Sequence, residues 1–238
     1  MIIGGLHKLS LIDFPDKVSA VVFTYGCNFD CSYCHNTLMK KGLPKESDEL
    51  IIGQISQEEL FSFLKERQNF LEGVCISGGE PTLHQDLADF IKKIRSLGFK
   101  IKLDTNGTNP VVLKDLISQG LLDYVAMDVK APLNYQSYQR VTQREITTFL
   151  PLVRQSIKIL INSPIDYEFR TTVDKKVLGV EEVLAIANDI RGAKRYYLQN
   201  VVRHQELIAE IIAWPAEELR NLADKITSQQ IPCLIRNI

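Results

Sequence analysis

Residues 18–36 read VSAVVFTYGCNFDCSYCHN, and this stretch decides the predicted fold. The run VSAVVFTY at 18–25 is short and rich in β-branched and aromatic residues, as a buried strand is. Gly26 follows the run and permits a sharp turn. Three cysteines, Cys27, Cys31 and Cys34, then crowd into eight positions. The pattern predicts a strand that ends in a loop able to bring three thiols together.

Short apolar runs alternate with stretches of helical period along the rest of the chain. Further strands are predicted at 73–77, 99–105, 123–129, 166–173, 194–201 and 232–238. Helices are predicted after the capping-box pair Ser56 and Glu59, before the C-terminal stop Gly98, and at 110–119, 146–161, 180–190 and 215–229. Successive βαβ units build a parallel sheet, so we expect an α/β fold with a partial (β/α)6-type parallel barrel. Its chemistry should lie at the carboxyl ends of the strands.

Length and charge limit the function classes. The 238 residues, 45% of them hydrophobic, predict a single domain over 1–238 with an N-terminal extension at 1–17 and a surface excursion at 37–54. A net charge of -1 favours neither nucleic acid nor an anionic membrane as a partner. We see no signal-peptide pattern and no apolar run near the ~18 residues that span a bilayer, so a cytoplasmic protein is expected.

The cysteine pattern favours a metal site over disulfides. Five cysteines is an odd number, and the C-x3-C-x2-C loop supplies three thiolates, which are soft ligands for iron–sulfur clusters or zinc. A four-iron cluster on three cysteines leaves one iron open to a small molecule. A structural zinc site would need a fourth ligand, and His35 is the only immediate candidate. His35 directly follows Cys34, and adjacent residues in a tight loop rarely bind the same tetrahedral metal. A zinc site or chance clustering of the cysteines is the alternative. Cys75 and Cys233 lie in apolar runs and are expected to be buried packing residues.

The loop carries a family resemblance. Its spacing, with Tyr33 directly before the third cysteine, resembles the signature of the radical S-adenosylmethionine (SAM) superfamily. CSYCHN at 31–36 resembles the glycyl-radical enzyme activases, such as the activating proteins of anaerobic ribonucleoside-triphosphate reductase and pyruvate formate-lyase. The resemblance implies a [4Fe-4S] cluster on the three cysteines and SAM on its open iron. SAM would be cleaved to methionine and a 5′-deoxyadenosyl radical, with Tyr33 near the adenine and no side chain as acid or base, so no catalytic residue is assigned.

Later strand ends extend the resemblance. Gly78, Gly79 and Glu80 follow the strand at 73–77 and resemble the family's GGE motif, which binds the SAM amino group. Read alone, this triplet would be an ordinary turn.

Two more strand ends carry polar side chains. Asp104 and Thr105 end one predicted strand, and Asp128 and Lys130 end the next. The resemblance implies that these residues contact SAM and a bound monovalent cation. Without the family, Asp and Asn before Gly would indicate turns.

The remaining predicted strands give weaker evidence for ligand contacts. Arg170 could bind the SAM carboxylate, and the alternative is an ion pair with Glu168 or with a carboxylate on a helix. Where the family carries a histidine-containing segment, 198–204 reads LQNVVRH, so His204 is displaced and receives no role.

The resemblance also implies partners. The protein substrate would be a large glycyl-radical enzyme, and flavodoxin or ferredoxin would donate the electron, because 36–74 contains no cysteine for further clusters. Two other functions stay open. One is a small-molecule radical SAM enzyme such as 7-carboxy-7-deazaguanine synthase. The other is a non-catalytic iron–sulfur or zinc-binding scaffold, which would have no need of Gly78-Gly79-Glu80.

Overall fold

A computed structural model describes residues 1–34, 55–202 and 210–237 of the chain. Its strands are β1 Ile3–Ser10, β2 Ser19–Thr24, β3 Gly73–Gly78, β4 Lys100–Thr105, β5 Tyr124–Asp128, β6 Asp166–Val173, β7 Tyr196–Asn200 and β8 Cys233–Arg236. Its helices are α1 Gln57–Glu66, α2 Leu87–Ser96, α3 Pro110–Ser118, α4 Tyr135–Thr142, α5 Phe149–Ile161, α6 Val180–Asp189 and α7 Ala216–Thr227, with a 3-10 turn at Pro81–Leu83. Each strand and helix that the sequence predicted is present within these residues. The surface excursion at 37–54 lies outside them.

The strands follow one another in the sheet in chain order, from β1 to β8. β1 pairs with β2 antiparallel, whereas β2 with β3, β3 with β4, β6 with β7, and β7 with β8 are parallel. Helices alternate with the strands from β3 onward. The predicted α/β fold with a mostly parallel sheet is therefore confirmed.

Two elements were not predicted. β1 has glycines at positions 4 and 5 and no regular alternation of buried residues, so its sequence lacks the signal of a strand; hydrogen bonds to β2 hold it in place. α4 is polar, and its buried residues Tyr138, Val141 and Thr142 pack it against the core. Asn134 caps it by accepting a hydrogen bond from the Ser137 N–H at 2.8 Å.

The chain forms two compact units. The first comprises Met1–Asn28, Asn36–Thr105 and Val111–Val125, and the second comprises Phe29–His35, Asn106–Pro110 and Ala126–Ile238. The single-domain organisation stays a prediction. Among the described residues, we find no helix with the length and apolar character that a membrane span requires.

Each unit has a core of its own. In the first unit, β2, β3 and β4 bury their apolar residues beneath Leu60 and Leu64 of α1 and the apolar face of α2. The capping box of Ser56 and Glu59 starts α1 as predicted, and Gly98 at φ +91° ends α2.

The core of the second unit is rich in buried aromatic rings on its strands. Tyr167 and Phe169 pack edge to face, with ring centroids 5.3 Å apart. The Tyr196 hydroxyl donates to Thr171 Oγ1 at 2.8 Å. Burial of these residues fixes the strands whose ends carry the polar side chains described next.

Candidate active site

The backbone that leads into the cysteine loop is held by the loop after β3. The Gly79 N–H donates to the Thr24 carbonyl, and the Glu80 N–H donates to the Gly26 carbonyl, each at 2.8 Å. The two backbones are so close that a Cβ on Gly79 would lie 2.0 Å from the Gly26 oxygen. Gly79 is therefore required by close approach, and the two predicted motifs of the first unit are directly connected.

His84 completes this connection. Its Nε2 lies 2.9 Å from the carbonyl oxygen of Tyr25, so the ring donates a hydrogen bond there. His84 is buried, and burial lowers the pKa of its ring, although the hydrogen bond to Tyr25 opposes the change. Three successive carbonyls before the first cysteine thus accept hydrogen bonds from residues 79–84. Sequence reasoning missed His84, whose only signal is its position after the GGE motif.

The middle of the cysteine loop is anchored in the second unit. Phe29 is buried, and its ring meets Tyr138 of α4 and Phe149 of α5 with centroid separations of 6.2 and 5.8 Å. The Asp30 N–H donates to the carbonyl of Thr142 at 2.9 Å. α4, which the sequence did not reveal, therefore helps to position the cysteines.

No disulfide joins the three cysteines in the part of the chain that the structure describes. Cys31 is buried, and Cys27 and Cys34 are half-buried. The Cys34 N–H donates to the Cys31 carbonyl at 3.2 Å, which makes a tight turn between them. Among residues 1–34, 55–202 and 210–237, no group of three His, Cys, Asp or Glu side chains is arranged to hold a metal ion. Binding of a cluster by these thiols stays a prediction, and His35 lies outside the described residues.

Tyr33 has an unusual environment. Its ring is buried, and its hydroxyl has no hydrogen-bond partner in the described part of the chain. Burial, with a further contribution from Cys31, raises the pKa of this phenol well above its ordinary value. Buried hydroxyls nearly always have a partner, so the site favours a polar ligand at this position.

The Glu80 side chain has partners within the protein. The carboxylate is fully buried and accepts from the Thr82 N–H at 3.2 Å, the Thr82 hydroxyl at 2.5 Å and the Thr105 hydroxyl at 2.7 Å. These hydrogen bonds show that the side chain of Glu80 shapes the loop after β3. The loop also depends on Gly78, which has φ +110° and where a Cβ would lie 2.3 Å from the Thr24 nitrogen.

Asp104 also has intramolecular partners. It accepts a hydrogen bond from the Ser77 hydroxyl at 3.0 Å and forms an ion pair with the ammonium of Lys102. Lys102 is a buried residue of β4 that sequence reasoning missed, although residues two apart on a strand share a face.

The second unit brings Asp128, Lys130 and Arg170 together, a grouping that the sequence did not predict for Arg170. One oxygen of Asp128 accepts from Lys130 Nζ and the other from Arg170 Nε, each at 2.8 Å. Burial is the largest single influence and would lower the pKa of Lys130, but Asp128, Tyr33 and Cys31 together outweigh it and raise this pKa well above its ordinary value. Glu168, the alternative partner of Arg170, forms a two-point ion pair with Arg236 at 2.7 and 2.9 Å.

The chain matches the model of the radical SAM superfamily over residues 21–149, a segment that contains the cysteine loop, the GGE motif and the ends of β4 and β5. The chain belongs to the radical SAM superfamily.

Several named proteins are similar to it. A protein of Methanocaldococcus jannaschii with the provisional name glycyl-radical enzyme activating enzyme is 34% identical over 83% of this chain and 79% of its own length. The 7-carboxy-7-deazaguanine synthase of Bacillus subtilis is 30% identical over 71% of this chain and 68% of its own. A radical SAM methyltransferase from Sphaerobacter thermophilus superposes with a TM-score of 0.70 at 15% identity, over 96% of this chain and 68% of that one, which supports the radical SAM fold.

Membership of the radical SAM superfamily implies a [4Fe-4S] cluster and SAM. The donor chemistry of the chain fits both groups, because three thiols occur in one loop and the Tyr33 hydroxyl is buried without a described partner. The first unit holds Cys27, Gly78, Gly79, Glu80, Asp104 and Thr105, and the second holds Cys31, Tyr33, Cys34, Asp128, Lys130 and Arg170.

The end of β7 is structural in this radical SAM chain. The side-chain amide of Asn200 donates to the Trp214 carbonyl at 2.8 Å and accepts from the Trp214 N–H at 2.9 Å. His204 lies outside the described residues. Asn200 therefore fastens the segment before α7.

Proposed function

We propose that this radical SAM enzyme is an activase that generates a glycyl radical on a partner enzyme, as in the anaerobic ribonucleotide reductase and pyruvate formate-lyase systems. The observation that carries the proposal is the 34% identity, over 83% of the chain, to the Methanocaldococcus jannaschii protein with that provisional name. The CSYCHN string supports it.

The cofactor assignment forms part of the proposal. Cys27, Cys31 and Cys34 would hold a [4Fe-4S] cluster. By resemblance to the family, the residues that would hold SAM are Tyr33, Gly78, Gly79, Glu80, Asp104, Thr105, Asp128, Lys130 and Arg170. When bound and supplied with one electron, these groups provide cleavage of SAM to methionine and a 5′-deoxyadenosyl radical.

The residues of the chain position and shield the reactants. The carbonyls of residues 24–26 are hydrogen-bonded to residues 79–84, which limits movement of the first cysteine. Arg170 is buried and Lys130 is half-buried, and cations in such surroundings suit the carboxylate of SAM. A hydrogen atom would then pass from the Cα of the partner's glycine to the deoxyadenosyl carbon, which gives 5′-deoxyadenosine and the glycyl radical.

The partner assignment follows from this chemistry. The substrate would be a large glycyl-radical enzyme whose glycine loop enters the site. The electron would come from flavodoxin or ferredoxin, because the proposal assigns only one cluster to this chain.

The first experiment is anaerobic reconstitution with iron and sulfide, reduction with dithionite and addition of SAM. We expect 5′-deoxyadenosine to form with the wild-type chain and to be absent with Cys31→Ala, since two thiolates would not hold the cluster. Adding a glycyl-radical enzyme from the same genome should then give a glycyl radical in the EPR spectrum. A variant of that enzyme with alanine at the glycine is the matched control.

A second function is supported by one comparison, the 30% identity to 7-carboxy-7-deazaguanine synthase over 71% of the chain. Formation of 7-carboxy-7-deazaguanine without a partner protein would favour that function and contradict the activase proposal. Iron binding with no SAM cleavage, even with dithionite, would instead favour a non-catalytic scaffold.

A further inference from the structure

Lys102 places a positive charge in the interior of the first unit. The residue lies in the middle of β4 and is 2% exposed. Lysine is almost never fully buried unless it is paired, because removing an ammonium from water costs several kcal/mol. The partner is the carboxylate of Asp104, and Cys75 Sγ lies 3.6 Å from Lys102 Nζ.

Both oxygens of Asp104 receive donors from the protein. Oδ1 accepts from Lys102, and Oδ2 accepts from the Ser77 hydroxyl at 3.0 Å. A sodium or potassium ion bound to this carboxylate would lie close to the Lys102 ammonium. Two like charges at such a distance in a poorly solvated site repel each other strongly.

The other residues that the family resemblance assigns to a monovalent cation are also engaged. The Thr105 hydroxyl donates to Glu80 at 2.7 Å. In the second unit, Asp128 is already paired with two cations of the protein, Lys130 and Arg170. The residues present therefore do not fit an additional metal cation.

We propose that the ammonium of Lys102 takes the place of a monovalent metal ion at Asp104, and that the enzyme binds and cleaves SAM independently of Na⁺ and K⁺. Lys102 is thus a positioning residue that holds Asp104 at the end of β4. The proposal rests on the proposed SAM site. The resemblance to the activases implies that a bound monovalent cation supplies a positive charge here, whereas in this chain the Lys102 ammonium on β4 would supply it.

The wild-type chain provides the first test. Reconstituted protein is dialysed into choline chloride and compared with NaCl and KCl at equal ionic strength. We expect the thermal midpoint, the affinity for SAM and the rate of SAM cleavage to be the same in all three salts. Saturable activation or stabilisation of the wild type by Na⁺ or K⁺ would overturn the proposal, and this arm requires no variant to fold.

Lys102→Met removes the ammonium and keeps the apolar stem. It leaves the Asp104 carboxylate without its cation, so we expect Na⁺ or K⁺ to bind there and to raise the rate of SAM cleavage by about tenfold or more over choline, because an uncompensated buried charge is costly. The line width of ²³Na in NMR should show saturable binding to the variant and none to the wild type. A variant with no cation response in either readout would contradict the proposal.

Lys100→Met is the matched control. Lys100 lies on the same strand, but its side chain is 55% exposed and pairs with Asp123 at 2.9 Å. Its removal should produce no cation response. If Lys102→Met fails to fold, the double variant Lys102→Met with Asp104→Asn leaves no unpaired charge, and it should fold and bind no ²³Na. The NMR and thermal readouts need no radical chemistry, so an inactive chain would refute the proposed function without deciding the role of Lys102.

Discussion

His84 holds the backbone carbonyl of Tyr25, two residues before the first cysteine. The hydrogen bond, 2.9 Å long, requires a proton on Nε2, which the neutral ring can supply. Burial lowers the pKa of His84, so the folded protein takes up a second ring proton less readily than the unfolded chain does. A single buried ring thereby links the order of the cysteine loop to pH.

This linkage predicts a pH dependence of stability. Below the ordinary histidine value of 6.5, the unfolded chain binds the proton first, so the free energy of unfolding should fall as the pH drops through 6.5 toward the lower folded value. His84→Gln keeps a donor for the Tyr25 carbonyl but does not titrate. Urea unfolding at a series of pH values measures the difference in free energy of unfolding between wild type and variant. We expect this difference to be constant above pH 6.5 and to shrink between pH 6.5 and the lower pKa of folded His84. If the two proteins lose stability in parallel as the pH falls, His84 is not the titrating group.

At the scale of elements, the backbones that follow the neighbouring parallel strands β2 and β3 are in direct contact. The loop after β3 donates to the carbonyls of Thr24 and Gly26, and Gly79 comes so near to Gly26 that no side chain fits. The glycines recognised as a motif are therefore needed for the fold of the site, whatever ligand is bound. Close packing of backbone on backbone leaves no flexible group that could move aside.

Gly79→Ala should be strongly destabilising. Its Cβ would meet the Gly26 oxygen at 2.0 Å, so one loop must shift, and we expect a loss of about 1–3 kcal/mol in the free energy of unfolding together with weaker iron binding. Gly179→Ala is the control, because its Cβ would meet only the end of the Glu182 side chain, at 3.0 Å. Equal thermal midpoints for the two variants would contradict this account of the contact.

For the whole molecule, cysteine chemistry predicts one cluster per chain. Three of the five cysteines lie in the loop, whereas Cys75 and Cys233 are buried in strands. Burial raises the pKa of Cys233 to about 12, which keeps it a thiol at neutral pH, and thiols are poor metal ligands. Cys233 therefore serves packing in the second unit.

Reconstitution should give about four iron and four sulfide per chain, as a single [4Fe-4S] cluster requires. Cys34→Ala should lose most of this iron, whereas Cys233→Ala should retain it. Iron and sulfide assays with the visible absorption spectrum measure both outcomes. Loss of iron from Cys233→Ala at an unchanged thermal midpoint would show that the loop is not the sole source of ligands.

The sequence alone determined the features whose causes are local. β2 is a short β-branched run, the cysteines follow it at fixed spacing, and the GGE triplet follows β3, so the α/β fold and the family could be predicted from the order of residues. Lys102 and Asp104 could also have been paired, because they are two apart on one strand.

Tertiary structure alone decided the contacts between distant residues. Arg170 and Glu168 share one face of β6 and could have paired with each other. Instead Glu168 pairs with Arg236, and Arg170 reaches Asp128, 42 positions away, at 2.8 Å. β1 and α4 have weak signals of their own and are stabilised by β2 and by their buried contacts. His84 likewise gains its role only when it meets Tyr25, 59 positions away. Sequence patterns encode which face of an element is buried, whereas the partner on that face depends on how the elements pack.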